Sequence, residues 1–287
     1  MKHKIILILI ILTCWNITAK AQFGGGDGTE TSPYEIYTKA HLEELADSVN
    51  NSDPYPADNW SKNKFFKVMN DINEPITKMI GFFDVWYKKD HRFFCGNFDG
   101  NNFKIKLNIN NTVSSLDSYN TGLFSCIRNA TITNLVVDGK VKGKGNVGAI
   151  VGDADSSTIF NCVNLAKVEG EYNFVGGIVG TIFRNCIISY CLNIETVKGG
   201  FCIGGIVGHA GLDDYDGTNN NIISHSKNTG YVSGYNAVSG IVGHLGNYND
   251  NSNTIIINCI NVGITKLLGY GGNMNGIGYI DPPEEGH

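Results

Sequence analysis

His209 and His244 each stand directly after an Ile-Val-Gly string, as do Asp153 and Thr181. If the strings repeat one structural unit, these four residues form one column. Adjacent units of a stacked β structure sit about 4.8 Å apart, which would make His209 and His244 neighbours. Two imidazoles near a carboxylate suit a metal ion or a proton relay. A solvated turn position produces the same mixed column, and that is the plainer reading. A second cluster, Asp213, Asp214, Tyr215 and Asp216 ahead of Gly217, alternates oxygen donors as a calcium loop does, but the terminal bidentate Glu is missing. A polar loop accounts for it better. No cofactor is expected, and calcium at this loop is the one exception left open. One repeat later comes a second polar insertion with Tyr248, Asn249 and Asp250. Projecting together, the two insertions would make a Tyr- and Asn-rich shelf suited to sugar or protein contacts.

Hydrolytic chemistry finds little support. Cleaving a glycoside needs two carboxylates at a set separation, whereas Asp138, Glu169, Glu171 and Glu195 are scattered. There is no HExxH and no CxxC pair with a histidine partner.

The element that would position these residues is a repeat. Gly148-Ala-Ile-Val-Gly152 returns at Gly176, Gly204 and Ser239, in steps of 28, 28 and 35 residues, with a worn copy at Asn275–Gly278. Upstream of each lies a second string: Ile159-Phe-Asn-Cys162-Val-Asn164, Ile188-Ser-Tyr-Cys191-Leu-Asn193, Ile223-Ser-His-Ser226-Lys-Asn228 and Ile256-Ile-Asn-Cys259-Ile-Asn261. A Val-x-Gly stretch follows, as at Val168, Val197 and Val232. Three short apolar strands per unit predict an all-β parallel solenoid with three strands per coil. Glycine is costly inside strands, so recurrent glycines imply positive φ or close backbone approach. Stacking would align Asn164, Asn193, Asn228 and Asn261 as a hydrogen-bonded amide ladder. Beside it, Cys162, Cys191, Ser226 and Cys259 would form a small-residue column inside the core. Both columns read as structural. The seven cysteines after residue 21 read as core residues, with a disulfide between adjacent coils as the sharper alternative.

These strings resemble the GLUG-motif repeats of bacterial surface and secreted proteins. The resemblance covers residues 121–281, and Phe94-Cys-Gly-Asn-Phe-Asp-Gly-Asn101 and Gly122-Leu-Phe124 are similar to the segments that open such arrays. It implies a right-handed parallel β-helix of the pectate-lyase-like class, and it says little about activity.

The remaining segments complete the expectation. Residues 1–21 read as a signal peptide: Lys2 and Lys4, the apolar run Ile5–Leu12, and Ala19-Lys-Ala21 before Gln22. Without them the chain carries 19 basic and 27 acidic side chains, a net charge of −8. With no Lys/Arg cluster along the sequence, nucleic acid and anionic membranes are poor partners. No later segment is apolar enough to span a membrane. Residues 22–64 read as a cap, with Thr38 starting a helix whose Leu42, Leu45, Ala46 and Val49 share one face. Residues 65–120 would form the first coils and 282–287 a polar tail. The sequence therefore predicts an exported, non-catalytic, adhesin-like scaffold binding a glycan or a host or bacterial surface protein. The alternatives are a polysaccharide-cleaving enzyme and a spacer that assembles through its C-terminal edge.

Overall fold

The computed structural model describes residues 23–54, 59–83, 91–112, 119–211, 219–246, 252–269, 274–275 and 278–280. Apolar alternation of period two runs through these segments, and the chain satisfies it by coiling into a parallel β-solenoid. One coil shows the plan. Thr158–Phe160 lies on face I, Val163–Gly170 on face II, Asn173–Gly176 on face III and Val179–Ile182 on face IV. Each strand pairs in parallel with its equivalents one coil away, so Ile159 matches Ile132 and Ile188. Among the described residues face I holds eight strands, face II ten, face III five and face IV six.

The coil thus has four faces rather than the three strands read from the sequence. The Val-x-Gly stretch belongs to face II together with the segment before it, and the glycine string supplies two faces. Its first glycine ends a face III strand, its isoleucine turns the corner, and its valine begins face IV.

The glycines act through contact, not through unusual dihedrals. Among the described residues, positive-φ glycines are Gly26, Gly28, Gly81 and Gly139, none of them in a repeat string. Instead faces III and IV lie backbone against backbone. A Cβ on Gly176 would stand 1.9 Å from the Val179 carbonyl oxygen, and one on Gly180 would stand 2.6 Å from the Val147 nitrogen. Packed sheets are ordinarily about 10 Å apart, so this pairing excludes any side chain. The left-handed corner after face I is held by Asn134, Asn161, Tyr190, His225 and Asn258, with φ from 49° to 55°.

The core is a set of stacked columns. On face I it passes from Phe66 and Phe98 to Ile132, Ile159, Ile188 and Ile223, all buried. Bulky rings therefore fill the N-terminal coils, where Phe94 and Phe124 pack 4.9 Å apart, and branched aliphatics fill the later ones. Helix α1 (Lys39–Asn50) starts at Thr38, whose hydroxyl accepts the His41 N–H. Its buried Leu42, Leu45, Ala46 and Val49 join the core beside the first coil. That helix is the expected one.

On face II, Asn164 donates to the Asn193 side-chain oxygen at 2.7 Å, Asn193 to Asn228 at 2.7 Å and Asn228 to Asn261 at 2.9 Å. Each amide also closes its own turn, as Asn193 does by donating to the Glu195 carbonyl. In the neighbouring column the Cys162 and Cys191 thiols donate to backbone carbonyls, and the Ser226 hydroxyl accepts the Cys191 N–H. No disulfide joins the seven described cysteines, so none of them cross-links adjacent coils.

Candidate functional site: a ledge of aromatic rings

The column after Ile-Val-Gly forms as its spacing requires: Asp153 pairs with Thr181, Thr181 with His209 and His209 with His244. The two imidazoles stack 5.3 Å apart at 14°. The column is closed to solvent over most of its length. Asp153, Thr181 and His209 are buried, and Phe174 of face III stacks on His209 at 4.5 Å. Among the described residues no three His, Cys, Asp or Glu side chains gather as metal ligands.

Asp153 shows what this burial does. Its side chain accepts a hydrogen bond from Asn120 at 3.1 Å, and Asn120 accepts one from Asn146 at 3.0 Å. Desolvation, with the nearby Asp155 charge, pushes the Asp153 carboxyl up to about 8. Burial would raise Asp155 as well. The Arg184 hydrogen bonds outweigh it, with the charges of Arg128 and Arg184, and hold Asp155 below the usual carboxylate range. Arg184 approaches to 2.6 Å and Arg128 to 2.8 Å. Two acids with opposite shifts resemble a catalytic pair, but Asp155 is locked between two guanidinium groups and Asp153 lies beneath asparagines. The arrangement is a buried polar brace. Burial likewise raises the Cys186 thiol to about 12 and Cys126 well above the ordinary value, leaving both unreactive.

Tyr215, Asp213, Asp214, Asp216, Tyr248, Asn249 and Asp250 lie outside the described residues, so the expected shelf has no geometry here.

The exposed feature is elsewhere, at the corner between faces II and III. Tyr172, Phe201 and Tyr235 stand 56%, 50% and 57% exposed. They rise on successive coils: the Phe201 N–H donates to the Tyr172 carbonyl, and the Tyr235 N–H donates to the Gly200 carbonyl. Tyr119 extends the row toward the N-terminus, its ring lying over Gly145, where a Cβ would meet it at 2.1 Å. Tyr172 is close enough that its charge, after burial, helps raise the Tyr119 hydroxyl. From Tyr119 to Tyr235 the row crosses five coils, about 19 Å along the axis. Asn173 and Asn236 share a register column with Phe201 and set amides among the rings.

Sequence reasoning passed over these rings although a signal existed. Each follows the Val-x-Gly stretch within two residues of its glycine, as in Gly170-Glu-Tyr172, Gly199-Gly-Phe201 and Gly234-Tyr235.

Fold and ledge together define a parallel β-solenoid with an aromatic row on one corner. Comparison with known proteins agrees on the fold. A crystal structure of a putative immunoglobulin A1 protease from Bacteroides ovatus superposes with a TM-score of 0.56, covering 90% of this chain and 87% of that one at 19% identity. In sequence, the chain is 30% identical over 171 residues to Halomucin from Haloquadratum walsbyi. That match takes in 57% of this chain and spans 2% of the relative's length. No family model matches.

Proposed function

We propose that this chain is an exported, cell-surface or secreted scaffold of the GLUG-repeat type that binds an extended glycan without cleaving it. The observation that carries the reading is the ledge of Tyr119, Tyr172, Phe201 and Tyr235. Tyrosine presents a flat apolar face and a polar rim, a combination suited to a sugar ring, and it loses little entropy when fixed. One coil advances about 4.8 Å, close to the length of one pyranose unit. Tyr172 and Tyr235 hold equivalent positions two coils apart, and Phe201 stands one residue out of their column on the coil between, so the rings can meet a chain laid along the axis. The leader-like segment 1–21 and the likeness to part of Halomucin support an extracellular setting. The insertions carrying Tyr215 and Tyr248 remain sequence-level candidates for the same role.

Affinity electrophoresis of the purified chain through a polysaccharide panel tests the proposal, with chain-length analysis of each polysaccharide afterwards. Retardation by at least one glycan is expected, with the glycan unshortened. The double variant Tyr172→Ala/Tyr235→Ala should weaken it about tenfold or more, since stacked rings are each worth about 1 kcal/mol. A double variant that binds as well as the parent would remove the ledge from the mechanism. Shortened polysaccharide would overturn the non-catalytic reading.

A further inference from the structure

Along the sequence lysines are spread out, but the coils gather them. The strands of face II carry eight lysines against three acids, in a chain whose net charge is −5. With Lys144, Glu171 and Glu195 in the flanking turns the balance is nine to five. This corrects the expectation that basic residues form no cluster. The expectation came from counting neighbours in the chain, whereas side chains one coil apart are separated by about 30 residues and only about 4.8 Å.

One column bears on the ledge. Register places Lys142, Glu169, Lys198, Ser233 and Lys266 on successive coils. Lys142, Glu169, Lys198 and Lys266 are exposed. Three members precede a ring by no more than three residues: Glu169 comes before Tyr172, Lys198 before Phe201 and the buried Ser233 before Tyr235. Lysines on every second coil therefore run beside the rings, with Glu169 and the buried Ser233 on the coils between. Lys142 also meets Glu171 at 4.0 Å, an exposed pair that contributes little to stability and that a competing anion can replace.

We propose that ledge and lysine column are one site for a linear anionic polysaccharide laid along the solenoid axis. Sugar rings rest on Tyr172, Phe201 and Tyr235, and the carboxylate or sulfate groups meet Lys142, Lys198 and Lys266. Lysines on alternate coils match a chain that turns every second acid group to the same side. Charge complementarity speeds encounter and rejects neutral competitors. Single-stranded nucleic acid would also use rings beside cations. The leader-like segment 1–21 favours the polysaccharide, as a polyanion of an extracellular setting. The inference rests on the glycan-binding reading and adds the charge of the ligand.

The test compares polygalacturonate, dextran sulfate, neutral mixed-linkage β-glucan and poly(dT) as ligands for the full chain, across about 0.05 to 0.3 M salt. Tightest binding should go to polygalacturonate or dextran sulfate, and which of the two wins identifies the acid group. Affinity should fall about tenfold over that salt range, as for other multi-cation sites. Lys142→Gln/Lys198→Gln/Lys266→Gln should weaken binding about tenfold at low salt. Glu169→Lys, which fills the one acidic step of the column, should tighten it several-fold. Both are exposed substitutions that leave the core untouched, as melting curves can verify. Preference for β-glucan with no response to either variant would overturn the anionic site while sparing the glycan reading. Preference for poly(dT) would overturn the polysaccharide assignment. Binding to none of the polysaccharides would overturn both readings.

Discussion

Among single residues, Asp153 has the most measurable consequence. Its carboxyl is held near 8 in the fold against an ordinary 3.8. Between those values the unfolded chain has lost the proton and the folded chain retains it. Stability therefore falls as pH rises, by about 1.4 kcal/mol per pH unit at most. Asp153→Asn keeps the shape and the neutral state, so this variant should be more stable than the parent at pH 8 and similar to it at pH 4. Parallel melts at the two pH values check this, and equal shifts at both would refute the buried-acid account. Residue columns were only partly legible in the sequence. Asn164, Asn193, Asn228 and Asn261 could be aligned because identical amides recur at identical offsets. The Asp153 column could be aligned too, but its burial could not be anticipated. What covers it is Phe174 of a face III strand with Asn120 and Asn146 of the turns leading into that face, folded over it by a corner whose sharpness no periodicity encodes.

For the elements, the decisive fact is the contact between faces III and IV. A Cβ on Gly204 would stand 1.9 Å from the Val207 carbonyl oxygen and 2.7 Å from the Gly243 nitrogen. These are backbone atoms fixed by two ladders, so neither can yield. Gly204→Ala should cost about 3 kcal/mol or more, at the upper end of overpacking penalties. Gly269→Ala, whose nearest neighbour would stand 3.3 Å away, should change stability by less than about 0.5 kcal/mol. Urea titration of the pair measures the contrast, and similar midpoints would refute the close-packing account. The glycine strings announced that something approached closely. They did not say that each string bends through a corner and serves two sheets, which is why three strands were read where four faces exist. Helix α1 was legible because cap and apolar face are both local, at Thr38 and at Leu42, Leu45, Ala46 and Val49. The lysine column was not, because it exists only once coils are in register.

As a whole, the molecule is a stack of near-equivalent coils whose strands bond mainly to the coils before and after. Deleting 177–204 removes 28 residues and joins Gly176 to Gly205, which restores the string Gly-Gly-Ile-Val-Gly. The shortened chain should fold, with unchanged far-ultraviolet ellipticity per residue and a Phe201-less ledge. Loss of cooperative melting would show instead that the coils are not interchangeable. The parallel register of the faces has a mechanical corollary. Hydrogen bonds between coils point along the axis, so tension between the two ends loads them a coil at a time, as in a zipper, instead of shearing many together. Each 28-residue coil that opens would let out about 90 Å of slack. Anchored at one end and holding a polymer along its flank, such a body would behave under flow as a shock absorber, shedding its grip ring by ring as it lengthens.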